Sequence, residues 1–187
     1  MSEGLLTGRL LVAAPTLRDP NFERTVVLVL EHGPEGALGV VLNRPTDTDL
    51  YAALPRWERF AADPSVVFEG GPVAPTAAIC LGRTTVPEGV EPDGWHPLFA
   101  GLATIDLERD PEELAQPVHD VRVFAGYAGW GADQLEGEVA AGAWYVLDAL
   151  PGDALSPDPD DLWRTVLRRQ RGRLAMVANF PADPVMN

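Results

Sequence analysis

The chain has 187 residues, 46% of them hydrophobic, enough for one globular domain that buries about 70% of its unfolded surface. Acidic residues number 28 and basic ones 14, all of them arginine, for a formal charge of −14. The absence of lysine excludes a lysine Schiff base, a phosphate-loop lysine and a Ser-Lys pair, and the single Cys80 excludes an intrachain disulfide or a multi-thiolate metal centre.

The longest apolar runs, residues 25–30 and 39–42, fall far short of the roughly 20 residues a membrane-spanning helix needs. Met1-Ser2-Glu3-Gly4 lacks the basic start of a secretory signal. No membrane association and a cytoplasmic location are therefore expected. Nucleic-acid affinity rests on cations that displace condensed counterions, so the negative charge opposes direct DNA binding, and none is expected.

In chain order, residues 8–14 and 25–31 are short, branched-aliphatic runs bounded by proline or glycine, and both read as strands. Between them Asp19 and Pro20 suit the start of a single helical turn, with Phe22 as its anchor. His32-Gly33-Pro34-Glu35-Gly36 reads as a five-residue hairpin loop into a third strand over 37–42. A helical segment at 50–60 is divided or bent by Pro55, with Trp57 and Phe60 turned inward.

Strands follow at 66–69 and 77–83, separated by the tight Gly70-Gly71-Pro72 turn. Residues 88–97, rich in proline and glycine, read as a surface loop. The remaining strands fall at 102–107, 118–127 and 144–147, with short helices near 111–116 and 133–141. The last helix is the best specified: Asp158 as N-cap, Pro159 as first residue, Asp160 and Asp161 in the first turn, an apolar stripe of Leu162, Trp163, Val166 and Leu167, and Gly172 as the stop. No repeat or linker divides the chain, so a single domain over 1–187 is expected.

Gly126-x-x-Gly129-x-Gly131 is placed where a strand gives way to a helix, a position from which backbone N–H groups can hold an anion. Its spacing is not that of a dinucleotide fingerprint, and Trp130 would crowd a pyrophosphate. The alternative is structural: the glycines permit positive φ and let Trp130 pack against the sheet. Gln134 and Glu138, four apart on the next helix, form either an exposed face or a general base beside the glycine loop. Asn43 ends a strand and can satisfy local backbone groups, while Arg44 projects a donor fork toward a carboxylate of this chain or a ligand.

His32, His96 and His119 are widely separated, Ser2, Ser65 and Ser156 lie in no G-x-S-x-G elbow, and Cys80 sits in an apolar run that suits a buried, inert thiol. No metal and no cofactor is expected. Five arginines, Arg164, Arg168, Arg169, Arg171 and Arg173, gather in and after the last helix. They complement the helix dipole, or they meet an acidic partner or a phosphate backbone, without the pattern of a helix-turn-helix.

The opening block with Pro15, Asp19, Phe22, Gly39, Asn43, Arg44 and Pro45, then Glu69-Gly70-Gly71-Pro72-Val73, then Gly126, Gly129, Trp130, Gln134, Leu135, Glu138 and Trp144, resembles the bacterial AlgH/YqgE family. The resemblance runs from Gly8 to the terminal Pro184-Val185-Met186-Asn187, which departs from the family's Pro-Ser-Leu-Asn ending at two positions. It implies an α+β fold: a strongly bent, partly bifurcated and mostly antiparallel sheet forming a pseudo-barrel, with peripheral helices. Members often carry a transcriptional-regulator label, but the resemblance brings no reaction, ligand or catalytic residue with it.

Two classes of function remain. One is a non-enzymatic regulatory or interaction module that binds an unknown protein or a small anionic ligand through Asn43, Arg44, Glu69, Gly70, Gly71, Gly126, Gly129, Trp130, Gln134 and Glu138. The other is an enzyme of unrecognised type, with Glu69 or Glu138 as acid/base and Arg44 as a clamp. An enzyme requires these groups to converge on one concave site. No motif supplies a nucleophile, metal or cofactor, which favours the binding module.

Overall fold

A computed structural model describes residues 6–87 and 89–182. Glu88 and the chain ending over 184–187 lie outside the described residues.

Strands β1 (Arg9–Ala13), β2 (Val26–Gly33) and β3 (Gly36–Val41) form the antiparallel meander expected from the sequence. The hairpin between β2 and β3 is tighter than expected: Gly33 pairs with Gly36, leaving only Pro34 and Glu35 in the turn. Cross-strand hydrogen bonding extends both strands into the polar segment. Over residues 19–23 the single helical turn is present, with the Asp19 carbonyl accepting the Phe22 and Glu23 N–H groups at 2.9 and 2.7 Å.

The meander is buried on both faces, which explains its near-continuous apolar sequence. Because side chains alternate along a strand, Leu10, Val12, Val26, Leu28, Val40 and Leu42 face one core with Leu162, Trp163, Val166 and Leu167. Leu11, Ala13, Val27, Val29 and Val41 face another with Trp130, Leu135 and Trp144.

The next elements are β4 (Pro45–Asp49), α1 (Leu50–Ala53), a 3-10 turn (Glu58–Phe60), β5 (Val66–Glu69), β6 (Val73–Arg83), β7 (Trp95–Pro97), β8 (Leu102–Ile105) and β9 (His119–Gly131). Pro55 separates α1 from the 3-10 turn, as a proline that cannot continue a helix should. Trp57 is buried and Phe60 half-buried in a third core with Trp95 and Val121.

The proline-rich stretch at 88–97 is not all surface loop, since it ends in β7, whose Trp95 is fully buried. No helix forms at 111–116, only a turn in which Asp110 accepts the Glu112 N–H. Five residues between Pro111 and Pro117 are too few to offset the unfavourable first turn of a helix.

The sheet has ten strands with the main path β10-β1-β2-β3-β9-β6-β8-β7. Strand β10 (Trp144–Asp148) closes one edge against β1. The thirteen-residue β9 bends the whole: its end from Ala128 pairs with β3, while its beginning pairs with β6 and, in parallel, with β5. One long strand thus serves two half-sheets, giving the curled, bifurcated and mostly antiparallel α+β fold with short helices at its periphery.

Helix α2 (Gln134–Ala140) packs beside β9 and β10. Helix α3 (Leu162–Arg168) starts at an Asp161 cap, not at Asp158. Residues 159–162 instead make a tighter turn, the Leu162 N–H donating to the Pro159 carbonyl at 3.2 Å, while Asp158 accepts the Asp161 N–H. The Trp163 indole fixes α3 to the sheet by donating to the Ala13 carbonyl at 2.9 Å. Helix α3 ends at Arg168 with Arg169 as its C-cap, short of the expected stop at Gly172, which at φ +69° is instead the N-cap of α4 (Arg173–Val177).

Candidate functional site

Three of the candidate glycines mark a backbone crossing. The Val41 N–H donates to the Gly70 carbonyl, the Glu69 N–H to the Arg44 carbonyl and the Gly70 N–H to the Ala125 carbonyl, each at 2.8 Å. These bonds bring β3, β5 and β9 together so tightly that a Cβ on Gly70 would lie 2.3 Å from the Gly126 oxygen, and one on Gly126, at φ +73°, 2.5 Å from the Gly71 oxygen. Gly129 differs: it is exposed, and a Cβ there would make ordinary contacts with Tyr127 and Val73.

Gly126, Gly129 and Gly131 do not form a loop before a helix. They lie inside β9, which continues to Gly131 because Ala37, Leu38 and Gly39 pair with Trp130, Gly129 and Ala128. The backbone N–H groups expected to hold an anion are therefore part of a sheet. Sequence alone reads glycine as a strand breaker. At Gly126 the close approach of the neighbouring backbone requires it.

Asn43 satisfies backbone groups as expected, but across strands: its Oδ1 accepts the Val26 N–H at 2.9 Å and its Nδ2 donates to the Arg24 carbonyl at 2.9 Å. Among the described residues Arg44 forms no ion pair, and its fork is not left open. Its Nη2 donates to the carbonyls of Pro20 and Glu23 at 3.1 and 3.2 Å, clamping the helical turn before β2. The carbonyls at that turn's end have no strand partner and take the guanidinium instead of a carboxylate.

Trp130 is buried and stacks against Phe22, with ring centroids 6.1 Å apart. Phe22 thereby serves as the anchor the sequence suggested, and it meets Trp144 edge-on at 5.6 Å. Gln134 and Glu138 do point the same way, joined by an Nε2–Oε1 hydrogen bond of 2.9 Å. Glu138 is half-buried, however, and its Oε2 accepts the indole N–H groups of Trp130 and Trp144 at 3.0 and 2.8 Å. Gln134 accepts the Gly131 N–H at 3.0 Å, tying α2 to the end of β9.

The groups required by an enzyme do not converge. Glu69 is exposed on β5 beside Arg44, whereas Glu138 lies on α2 under two indoles. Of the surface cavities, four measure about 260–430 Å³; one of these touches Trp130, and none of the four is lined by Asn43, Arg44, Glu69, Gln134 or Glu138. Cys80 is buried in the third core, and burial pushes its thiol pKa far above the ordinary value. Among the described residues no three His, Cys, Asp or Glu side chains are grouped to hold a metal ion.

Much of the C-terminal arginine cluster is committed to the fold. Arg169 makes a two-pronged pair with buried Asp153 at 2.6 and 2.7 Å and donates to the Asp148 carbonyl. Arg168 pairs with Asp161 at 3.2 Å.

Sequence reasoning missed Arg122, which is 2% exposed. Its Nη1 donates to the carbonyls of Ser156 and Ala154, its Nη2 to that of Asp63, and its guanidinium lies 4.3 Å above the Phe68 ring. Burial lowers its pKa to about 10, against a smaller opposing pull from Asp63. The only signal in the sequence is an arginine between valines in a strand, which reads equally well as a solvated face.

A family model described as AlgH-like matches residues 10–175. A UPF0301 protein of Streptomyces coelicolor is 56% identical over 186 residues, covering 97% of this chain and 95% of that protein. A UPF0301 protein of Mycobacterium tuberculosis is 47% identical over 179 residues, covering 94% and 88%. A crystal structure of a protein from Corynebacterium diphtheriae superposes with a TM-score of 0.85 at 33% identity, covering 96% of this chain and 95% of that one. The solution structure of AlgH from Pseudomonas aeruginosa gives 0.67 at 25% identity, covering 98% of each. The motifs that hold the β3–β5–β9 crossing and the Trp130–Glu138 cluster thus lie within the matched region, and the chain belongs to the AlgH-like family.

Proposed function

We propose that this protein is a non-enzymatic, cytoplasmic interaction module with a regulatory role, and that its contact surface is the projection formed by residues 72–78. The observation that carries this reading is a wide bulge in β6. Val73 pairs with Tyr127 and Ala78 with Ala125, so Ala74, Pro75, Thr76 and Ala77 stand opposite Gly126 alone. All residues from Pro72 to Ala78 are exposed, and no charged side chain occurs between residues 70 and 82.

In a chain of charge −14, an exposed uncharged projection on a rigid base suits a protein partner, because docking it desolvates no ion. Interface cores are depleted of charge for that reason. The crossing of Gly70, Gly71 and Gly126 supplies the rigid base. The enzyme alternative is disfavoured because Arg44, its clamp, and Glu138, one of its two candidate acid/bases, already have hydrogen-bond partners within the fold, while the other, Glu69, lies exposed on β5 apart from Glu138. A regulatory effect through direct DNA contact is disfavoured by the charge and by the pairing of Arg168 and Arg169.

A photo-crosslinking amino acid at Thr76, compared with one at exposed Gly152, tests this in native cells. One defined protein should crosslink at position 76 only, and Val73→Glu should abolish it while the melting temperature holds. Equal crosslinking at both positions, or turnover of a substrate by the purified protein, would overturn the reading.

A further inference from the structure

We propose that the cleft at the far end of β6, between Arg83 and His119, is a binding site for a phosphomonoester. A β-bulge builds it. The β6–β9 register runs Cys80↔Val123, Leu81↔Arg122 and Gly82↔Val121, then skips one residue, so that Arg83 stands opposite His119 and not Asp120. Asp120 is the residue pushed out, and its φ of +46° is a conformation that non-glycine residues rarely adopt. Such bulges re-aim side chains and are concentrated beside functional sites.

The bulge sets a guanidinium and an imidazole side by side on one face of a strand pair. Both side chains can offer N–H donors to a group seated between them, and the oxygens of an anion accept such bonds. Asp120 meets these donors only in part: its Oδ2 lies 3.1 Å from the Arg83 Nε. Among the described residues the terminal nitrogens of Arg83 form no hydrogen bond, which leaves the fork that recognises phosphate oxygens in two-pronged fashion.

The next two residues add hydroxyls. The Thr84 N–H donates to the Gly101 carbonyl at 2.8 Å, holding the β7–β8 turn against the cleft. Its Oγ1 accepts the Val86 N–H at 3.0 Å, which leaves the hydroxyl proton to donate outward. The Thr85 hydroxyl is exposed and has no partner among the described residues. The cavity is about 430 Å³, walled beyond these polar groups by the rings of Pro117 and Pro151. That volume lies in the roughly 300–1,000 Å³ range of small-molecule sites, and the apolar walls accommodate an organic body attached to the phosphate.

The full chain is titrated with inorganic phosphate and with glycerol phosphate at an ionic strength held constant with chloride, and backbone amide shifts are followed by NMR. Saturable shifts confined to Thr84, Thr85, Gly101 and His119 are expected, with the ester binding at least as tightly as the free ion. Arg83→Gln should weaken binding by about tenfold or more, about 1.4 kcal/mol, and Asp120→Asn should tighten it by removing the competing carboxylate. Thr85→Val replaces Arg83→Gln if that variant does not fold, and it should weaken binding severalfold. Shifts that grow linearly and match those in chloride, an Arg83→Gln affinity equal to that of the parent, or an ester that binds more weakly than phosphate would each overturn the assignment.

Discussion

Trp130 and Trp144 meet edge to face, with ring centroids 6.1 Å apart, and both donate their indole N–H groups to one oxygen of Glu138. Both rings are buried, so neither N–H has water as an alternative partner. A buried donor left unsatisfied costs about 1–3 kcal/mol, and Glu138→Ala strands two, for an expected loss of about 2–6 kcal/mol. Glu138→Gln, which keeps one acceptor oxygen, should lose less. Trp130→Ala should cost about 3–5 kcal/mol, the range for deleting a buried large aromatic. Urea denaturation followed by tryptophan fluorescence measures all three. A Glu138→Ala variant as stable as its parent would remove the structural role assigned to this carboxylate.

The glycines separate into required and replaceable positions. At Gly126, with φ +73°, an added Cβ would meet the Gly71 oxygen at 2.5 Å. Steric overlap with backbone and a left-handed conformation add, so Gly126→Ala should destabilise by about 2–4 kcal/mol or prevent folding. Gly137, inside α2, has nothing within 4 Å of an added Cβ. Gly137→Ala should stabilise by up to about 1 kcal/mol through helix propensity. Thermal melts of the pair check both signs.

Acid should loosen α2 from the β2–β3 hairpin. Glu136 has its pKa lowered from an ordinary value near 4.5, first by a hydrogen bond from its own main-chain N–H and then by His32, against an opposing effect of burial. The His32 Nε2 lies 2.7 Å from its Oε1. A carboxylate whose folded pKa is depressed contributes stability above its unfolded pKa and loses it as pH falls through the folded value. Melting temperature should therefore decline below about pH 4.5 less steeply in Glu136→Gln than in the parent. The difference is small because Glu136 is half-exposed. Parallel curves would show that the pair carries no acid sensitivity.

Tight, sequence-specific DNA binding is not expected at near-physiological salt. Testing it through Arg169 would confuse binding with folding, since Arg169→Ala leaves buried Asp153 without its cation and should cost about 2–5 kcal/mol. Arg164, Arg171 and Arg173 are the informative positions in the cluster. A filter or anisotropy assay across a salt series should show weak, sequence-independent retention that falls as salt rises. Site-selective nanomolar binding abolished by the Arg164→Ala/Arg171→Ala/Arg173→Ala triple variant, with the fold intact, would contradict this.

The sequence by itself determined what depends on neighbours along the chain. Alternating and continuous apolar runs specify β1, β2 and β3, because a strand buried on both faces has no polar positions to offer. Proline at 55 ends a helical stretch through covalent restriction, a property of the residue itself. The family motifs were equally legible, since they are fixed strings.

Only the tertiary structure decided where those residues meet. The segment from Gly126 to Gly131 reads locally as a break, yet it is strand because β3 supplies hydrogen-bond partners and the crossing at Gly70 and Gly71 leaves no room for a Cβ. Arg44, Arg122 and Arg169 look alike as isolated arginines. They differ in whether the fold presents carbonyls, a buried interior or a carboxylate to the guanidinium, and those groups lie 16 to 59 residues away along the chain. The pairing of Arg83 with His119 depends on one skipped residue in a register between two strands, and register is a property of neither strand alone.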